Sequence, residues 1–259
     1  MINKTLVGLS IAELRQRTQS NAPEAGRDPI IGHSIRFFSI YFTRVLLKFG
    51  VTPFWVTALS VFLFLIGIAT FGWNILWLNL VGIVVIYISI VLDGCNGEVA
   101  RLYKYRPDIG SIYIEPISHD IQYGLMFIPL TIGAYMIHGS KWIILAGFIA
   151  TIAKLLQRFF ISRFDHIILG EMKQTDTEGE VLIPYDPNVS FPHKVYRFLN
   201  RNFFSSVGFI IPLLVFLLLG HVEWFIYLFA AFNFVIMCLH FLKQVRYVIR
   251  IDKPGIPLE

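Results

Sequence analysis

The chain alternates between long runs without charge and short polar breaks. No Asp, Glu, Lys or Arg occurs between Lys48 and Asp93, Asp120 and Lys141, Lys141 and Lys154, Arg201 and Glu223, or Glu223 and Lys243. A helix needs about 20 mostly apolar residues to cross a bilayer core. The runs supply six such spans, roughly 52–72, 76–100, 113–136, 141–163, 204–220 and 223–243. Trp73 and Asn74, His138 to Ser140, and Gly220 with His221 form short breaks that all fall on one side of the bundle. The strands of an outer-membrane barrel would alternate with period two, and these runs do not. Buried helices of a soluble domain are not this free of charge. The expected fold class is an all-α integral membrane protein, a six-transmembrane-helix bundle.

The flanking segments refine that outline. Residues 28–49 mix apolar positions with His33, Arg36, Arg44 and Lys48. Turning Ile40, Phe42, Val45, Leu46 and Phe49 toward lipid leaves the basic groups at the headgroups, as in an N-terminal interfacial amphipathic helix. The expected organisation is a polar segment over 1–27, a membrane domain over 28–250 and a cytoplasmic tail over 251–259. The polar start carries no secretory signal pattern. Residues 164–203 are the longest polar excursion, turn-like at 173–180, with a second candidate interfacial helix over 192–204. No repeat marks the two halves as an inverted pair, as it does in many transporters.

Composition agrees: 56% of residues are hydrophobic and 15% charged, against about 25% charged in soluble domains. Mean hydropathy is +0.65. These values exclude disorder, collagen-like chains, coiled coils and disulfide scaffolds. Of the 22 Lys and Arg, only Lys141 falls on the side of the short breaks. Basic residues beside short loops stay cytoplasmic, so both termini are expected in the cytoplasm. The net charge of +5 is therefore first a topology signal. Its spread over every cytoplasmic edge argues against nucleic acid as a partner, and favours membrane lipids with anionic headgroups or phosphorylated substrates. Cys95 and Cys238 both sit near cytoplasmic helix ends, where no disulfide is expected.

Chemistry concentrates where the second span ends and the third begins. The second closes with Asp93-Gly-Cys-Asn-Gly-Glu-Val-Ala-Arg101, and the third opens with Gly110-Ser-Ile-Tyr-Ile-Glu-Pro-Ile-Ser-His-Asp120. Ionisable groups at the edge of a span are costly and usually functional. On a helix, Asp93 shares a face with Asn96, Gly97 and Ala100, and Glu115 shares one with His119. The two helices are antiparallel across a short basic loop, so the faces can meet at the cytoplasmic membrane surface. Hard oxygen ligands suit Mg²⁺, Mn²⁺ or Ca²⁺, and Mg²⁺ is usually held together with substrate phosphates. Gly94, Gly97 and Ala100 would leave room for a nucleotide near the backbone.

Asp93-x-x-Asn96-Gly97-x-x-Ala100-Arg101 resembles the signature of the CDP-alcohol phosphotransferases, D-x-x-D-G-x-x-A-R followed by G-x-x-x-D-x-x-x-D. Six spans with the signature across the second and third match that family's architecture. Thr52-Pro53-Phe54-Trp55-Val56-Thr57 is similar to its T-P-N-x-x-T motif, with Phe54 for Asn. The resemblance covers roughly residues 36–250. Asn96 stands where the family has its second acid. Counting from Gly110 puts Ile114 and Ser118 at the third and fourth positions. Shifting by one residue, with Ser111 as the small residue, puts Glu115 and His119 there, and Glu-Pro-x-x-His parallels the family's Asp-Pro-x-x-Asp.

The resemblance implies a membrane transferase in phospholipid or related phosphodiester synthesis. An acceptor hydroxyl, on a lipid or on a small alcohol or phosphorylated alcohol, attacks the phosphate of a CDP-alcohol and CMP leaves. Carried over, Asp93, Asn96 and Glu115 would ligate Mg²⁺ or Mn²⁺, as one ion, or as two with help from Glu98 or Asp120. His119 would be the general base, a role that suits imidazole. Gly97, Ala100, Arg101 and Ser111 would line the nucleotide. Arg158 and Arg163, at the end of the fourth span, are candidates for a phosphate or acceptor group, with positive-inside anchoring as the other reading. The family also implies a homodimer. Two further readings stay open: a relative that lost catalysis and acts as a nucleotide- or lipid-binding scaffold, and a proton-coupled transporter. The edge position of the polar cluster counts against transport.

Overall fold

The computed structural model describes residues 8–20, 30–103, 109–174 and 191–251, and their regular elements are all helical. In chain order these are α1 (Ile11–Arg15), continued by a π-helical turn (Gln16–Ser20), α2 (Gly32–Lys48), α3 (Pro53–Ala69) with a 3₁₀ turn (Thr70–Trp73), α4 (Leu76–Tyr103), α5 (Ile109–His138), α6 (Lys141–Gln174), α7 (Phe191–Phe203), α8 (Ile210–Leu218) and α9 (Val222–Ile251). Five segments are long and apolar enough to cross a membrane: Pro53–Trp73, Leu76–Tyr103, Ile114–His138, Lys141–Phe164 and Val222–Ile249. They coincide with five of the six expected spans.

The remaining span is where structure and expectation part. Residues 204–209 form bends and turns, and α8 has 9 residues, a rise of about 13 Å. The cause is local. Ser205 Oγ accepts the Gly208 N–H at 2.9 Å, which closes the turn. Pro212 has no N–H to bond to an earlier turn, so regular helix starts close to its own position. Helices form at both candidate interfacial segments: α2 lies within 28–49, and α7 covers most of 192–204.

Short turns join the long helices at one end, termed the turn end. Gly139 and Gly220 take left-handed backbone there, φ +62° and +75°, as the residue after a helix often must. The Gly139 N–H donates to Tyr135 O at 2.8 Å, and the His221 N–H to Phe216 O at 2.9 Å. Glu223 ties two of these turns together: its Oε2 lies 3.1 Å from His138 Nε2 and its Oε1 2.9 Å from His221 Nδ1. Trp73, Trp77, Trp142 and Trp224 cluster at the same end, all exposed. Tryptophan rings at one level are the usual mark of a membrane interface.

Helix contacts within lipid depend on close packing, not on escape from water. In α3 and α4, Gly67 and Gly82 meet: a methyl on Gly67 would stand 2.8 Å from Gly82 O. One turn of hydroxyls locks the same crossing, with Ser60 Oγ donating to Ser89 O at 3.0 Å and Ser89 Oγ to Ser60 O at 2.8 Å. Aromatic rings fill the space between α5, α9 and the 204–209 turn, with Phe204 stacked on Phe232 and Phe225 against Phe229. Long polar side chains pin α9 to α6: Asn233 Nδ2 donates to Ala150 O at 3.3 Å and Gln244 Nε2 to Phe160 O at 3.1 Å.

The N-terminal part corrects one expectation, that Ile40 faces lipid, and residues 8–20 of the polar segment pack on the bundle. A capping box starts α1, in which Glu13 N–H donates to Ser10 Oγ and Ser10 N–H to Glu13 Oε2. These bonds to Ser10 hold the Glu13 carboxyl below its usual range. Leu9 and Leu14 then pack with Ile40, Leu47 and Leu102. Ile40, expected to face lipid, is thus fully buried, while Phe42, Val45 and Phe49 are exposed as expected.

Gly82→Val places a branched side chain where Thr70 and the Gly67 carbonyl already stand. Overpacking of this kind costs on the order of 1–3 kcal/mol. The unfolding temperature of purified protein in detergent is expected to fall by several degrees, with little change for Gly72→Ala, whose added methyl meets only Pro129 at 4.0 Å.

Candidate functional site

The signature occupies the last turns of α4, away from the turn end, and each of its faces has a different neighbour. Gly94 faces α2: a methyl there would meet Ile35 at 3.3 Å and Ser39 at 3.7 Å. The space expected to hold a nucleotide at Gly94 is therefore filled by α2. Glu98 lies five residues after Asp93, about 140° around the helix, and is 2% exposed. It accepts from Ser39 Oγ and Thr43 Oγ1, each at 2.6 Å, and from Gln19 Nε2 at 2.8 Å. Among the described residues these partners are all neutral. Glu98 is committed to the packing of α2 and the N-terminal segment, and does not serve as an extra ligand beside Asp93. Cys95 shares that side, with its Sγ on Ser39 O at 3.2 Å.

The opposite face carries the candidate chemistry. Ser60 of α3, Ser89 and Asp93 of α4, His119 and Gln122 of α5, and Ser206 of the 204–209 turn line one small cavity. Asp93 and His119, separated by a loop in sequence, therefore meet as their helical faces require. Asn96 lies one turn beyond Asp93 and is buried, and its Oδ1 has no hydrogen-bond partner among the described residues. His119 Nδ1 is also buried without a partner there. Glu115 is exposed one turn before His119, where its main-chain O accepts from Ser118 Oγ at 2.6 Å. Among the described residues, no three His, Cys, Asp or Glu side chains gather as a metal-ligand group. The arrangement offers two hard oxygens, the Asp93 carboxylate and the unpartnered Asn96 amide, which fit an ion bound mainly through substrate phosphates.

Of the residues assigned to the nucleotide, Gly97 and Arg101 lie together. The Arg101 guanidinium folds back over Gly97, where an added methyl would stand 3.2 Å from Nη1. Ala100 is half-buried on the same stretch. Ser111 falls within α5, but its side chain lies outside the described residues.

A second polar cluster adjoins the first. Arg158 Nε donates to Asp120 Oδ1, and its Nη2 donates to Pro116 O at 3.2 Å. Asp120 is thereby engaged as a partner of Arg158 and not as a ligand beside Asp93. The Lys154 ammonium lies 4.7 Å from the centre of the Tyr123 ring, and the Arg158 guanidinium 5.4 Å from it. Tyr123 is in turn hydrogen-bonded to Ser206. Arg163 stands apart, exposed, over the Phe159 ring at 5.3 Å.

Sequence reasoning missed Lys154, Tyr123, Gln122, Ser60, Ser89 and Ser206. Some left a signal. Gln122 follows His119 by three residues and Ser89 precedes Asp93 by four, so both extend faces already identified. Lys154 is the single charge between Lys141 and Arg158 in an otherwise apolar run, the kind of position that marks function. Ser206 had none, because its place depends on the turn that replaces a helix.

No family model matches the chain, and no curated protein matches it. What stands is an all-α chain with five helices able to cross a membrane and a polar cavity between them.

Replacing Glu98 by Ala strands three donors in a dry site. Hydrogen bonds to a charged group are worth about 1.5–3 kcal/mol. Glu98→Ala is expected to lower stability by about 2–3 kcal/mol and to expose residues 8–20 to limited proteolysis. Glu98→Gln, which keeps one acceptor oxygen, is expected to lose less.

Proposed function

We propose that this chain is a membrane transferase of the CDP-alcohol type, moving a phospho-alcohol group from a CDP-alcohol to an acceptor hydroxyl with release of CMP. The observation that carries the reading is the meeting of Asp93 and His119 at one polar cavity, beside an Asn96 oxygen with no partner among the described residues. The signature resemblance assigns these positions to ligand and base, and their proximity supports it.

On this reading Asp93 and Asn96, with Glu115 from α5, would hold Mg²⁺ or Mn²⁺, which when bound would supply charge neutralisation at the donor diphosphate. His119 Nε2 takes the proton from the acceptor hydroxyl. Arg101 above Gly97 lies where a phosphate of the nucleotide would pass. Lys154 and Arg158 bring two basic groups to the Tyr123 ring, with Arg158 bonded to Asp120, and so favour an acceptor or donor with an anionic group. A homodimer is part of the same proposal, from the resemblance alone.

The topology that fits has six crossings and both termini in the cytoplasm. Asn202 Oδ1 accepts the Ile30 N–H at 2.8 Å, at the start of α2, whereas Gly220 belongs to the turn end. On this reading the chain from 202 to 220 makes the sixth crossing, partly as turn and partly as α8. The exposed Phe37, Phe38, Phe42 and Val45 of α2 would then meet the cytoplasmic leaflet.

Purified protein incubated with CDP-diacylglycerol or CDP-amino alcohols, Mg²⁺ and a panel of acceptors is expected to release CMP. His119→Ala is expected to slow release by about 10²–10⁴-fold, the usual worth of general-base catalysis, and Asp93→Ala to abolish it. No release from any donor, or full release in Asp93→Ala, overturns the reading.

A further inference from the structure

The cavity beneath Asp93 and His119 measures about 10 Å³. That is the scale of one water, which needs roughly 10–15 Å³ and two to four polar partners, and too small for any substrate. Its wall joins six polar residues, the Asp93 carboxylate among them, to Ile90 and Val207. His119 Nδ1 is buried and unbonded among the described residues. Gln122 is 8% exposed and lines the cavity, with no hydrogen bond to its amide among the described residues. Ser60 and Ser89 each spend their proton on the other's carbonyl, which leaves their oxygens as acceptors only.

The two nitrogens of His119 differ in surroundings: Nδ1 is buried without a partner among the described residues, and Nε2 is not such an atom. A buried N–H left without an acceptor is costly, as is a buried lone pair without a donor. The tautomer of His119 is therefore set by Asp93 beside it together with whatever sits in the cavity. A histidine's working nitrogen is set by the hydrogen bond its other nitrogen makes.

We propose that the cavity binds a single water, which accepts the His119 Nδ1–H and donates to Gln122 Oε1 and to a serine oxygen, making Gln122 a positioning residue for His119. The neutral imidazole is then held with its proton on Nδ1 and its lone pair on Nε2. The role of that lone pair as base rests on the function proposed above; the tautomer does not. Gln122 touches no substrate. It acts through the water, and the proton that Nε2 accepts leaves to bulk solvent from that same nitrogen.

The test is nitrogen NMR of histidine-labelled protein in nanodiscs, in mildly alkaline buffer, with the His119 signals assigned by their loss in His119→Ala. The expected wild-type spectrum shows Nδ1 protonated, Nε2 bare, and magnetisation transfer from water to the Nδ1 proton. In Gln122→Leu the expected result is loss of that transfer and a shift of population toward the Nε2–H form. Gln122→Glu, which keeps an acceptor, is expected to retain the wild-type tautomer. If Gln122→Leu does not fold, Ser206→Ala is read the same way, with weakened transfer expected. A wild-type Nε2–H tautomer, absent water transfer, or a tautomer unchanged by Gln122→Leu overturns the proposal. CMP release supplies a separate arm: Gln122→Leu is expected to lower kcat about 10-fold, within the reach of base catalysis, with KM unchanged. Failure of wild-type protein to release CMP would remove the transferase reading and leave the tautomer result standing.

Discussion

Glu98 decides which side of α4 remains available for chemistry. A carboxylate that is 2% exposed must be satisfied where it stands. Here the partners come from Gln19, Ser39 and Thr43, on two separate segments. Meeting that demand draws α2 and the N-terminal turn onto one flank of α4, over Gly94 and Cys95. Because Asp93 points about 140° away from Glu98, its flank stays open to α5. The signature thus contains two acids with opposite assignments, and helix geometry separates them: one is consumed by packing, the other is kept for the cavity.

The same economy of small groups shapes the cavity. Ser60 and Ser89 let α3 and α4 approach closely and bond each other's main chain, as small and hydroxyl residues do between helices in lipid. Their oxygens also form part of the cavity wall. A bulkier pair would fill the cavity, and an apolar pair would leave His119 and Gln122 facing carbon. Packing and site therefore cannot be varied independently at this crossing, one turn from Asp93.

Much of the bundle was legible because charge-free runs and short breaks are strong signals over 20 residues or more. The meeting of Asp93 with His119 was legible too, since spacing on two antiparallel helices fixes which faces can touch. Three things were not. Helix α2 carries apolar residues on both faces: Ser39 and Thr43 turn inward to an acid beside Ile35, Ile40 and Leu47, and Phe37, Phe38 and Val45 turn outward, so a rule that sends apolar residues to lipid misplaced Ile40. The attachment of residues 8–20 depends on Gln19 reaching Glu98, a long-range contact. That the 204–220 run is part turn and part short helix was not visible, because hydropathy averages over Gly208 and Pro212, whereas the backbone responds to each of them separately.

The balance of charge links the two polar clusters. Asn96 and His119 stand where the resembling family carries acids, so the Asp93 cavity brings one carboxylate of its own. Next to it, α6 contributes Lys154 and Arg158, and Asp120 is bonded to Arg158. Moving from Asp93 across Tyr123 to α6, the site passes from mildly negative to net positive within two helices. An anionic group is favoured by such a field wherever water is partly excluded. On the proposed transferase reading, neutral Asn96 and His119 at acid positions and two basic groups nearby act in the same direction: each would lessen what a metal must do to hold a diphosphate. A site of this kind relies on its own fixed charges, and its fixed charges are held by the packing of α5 against α6.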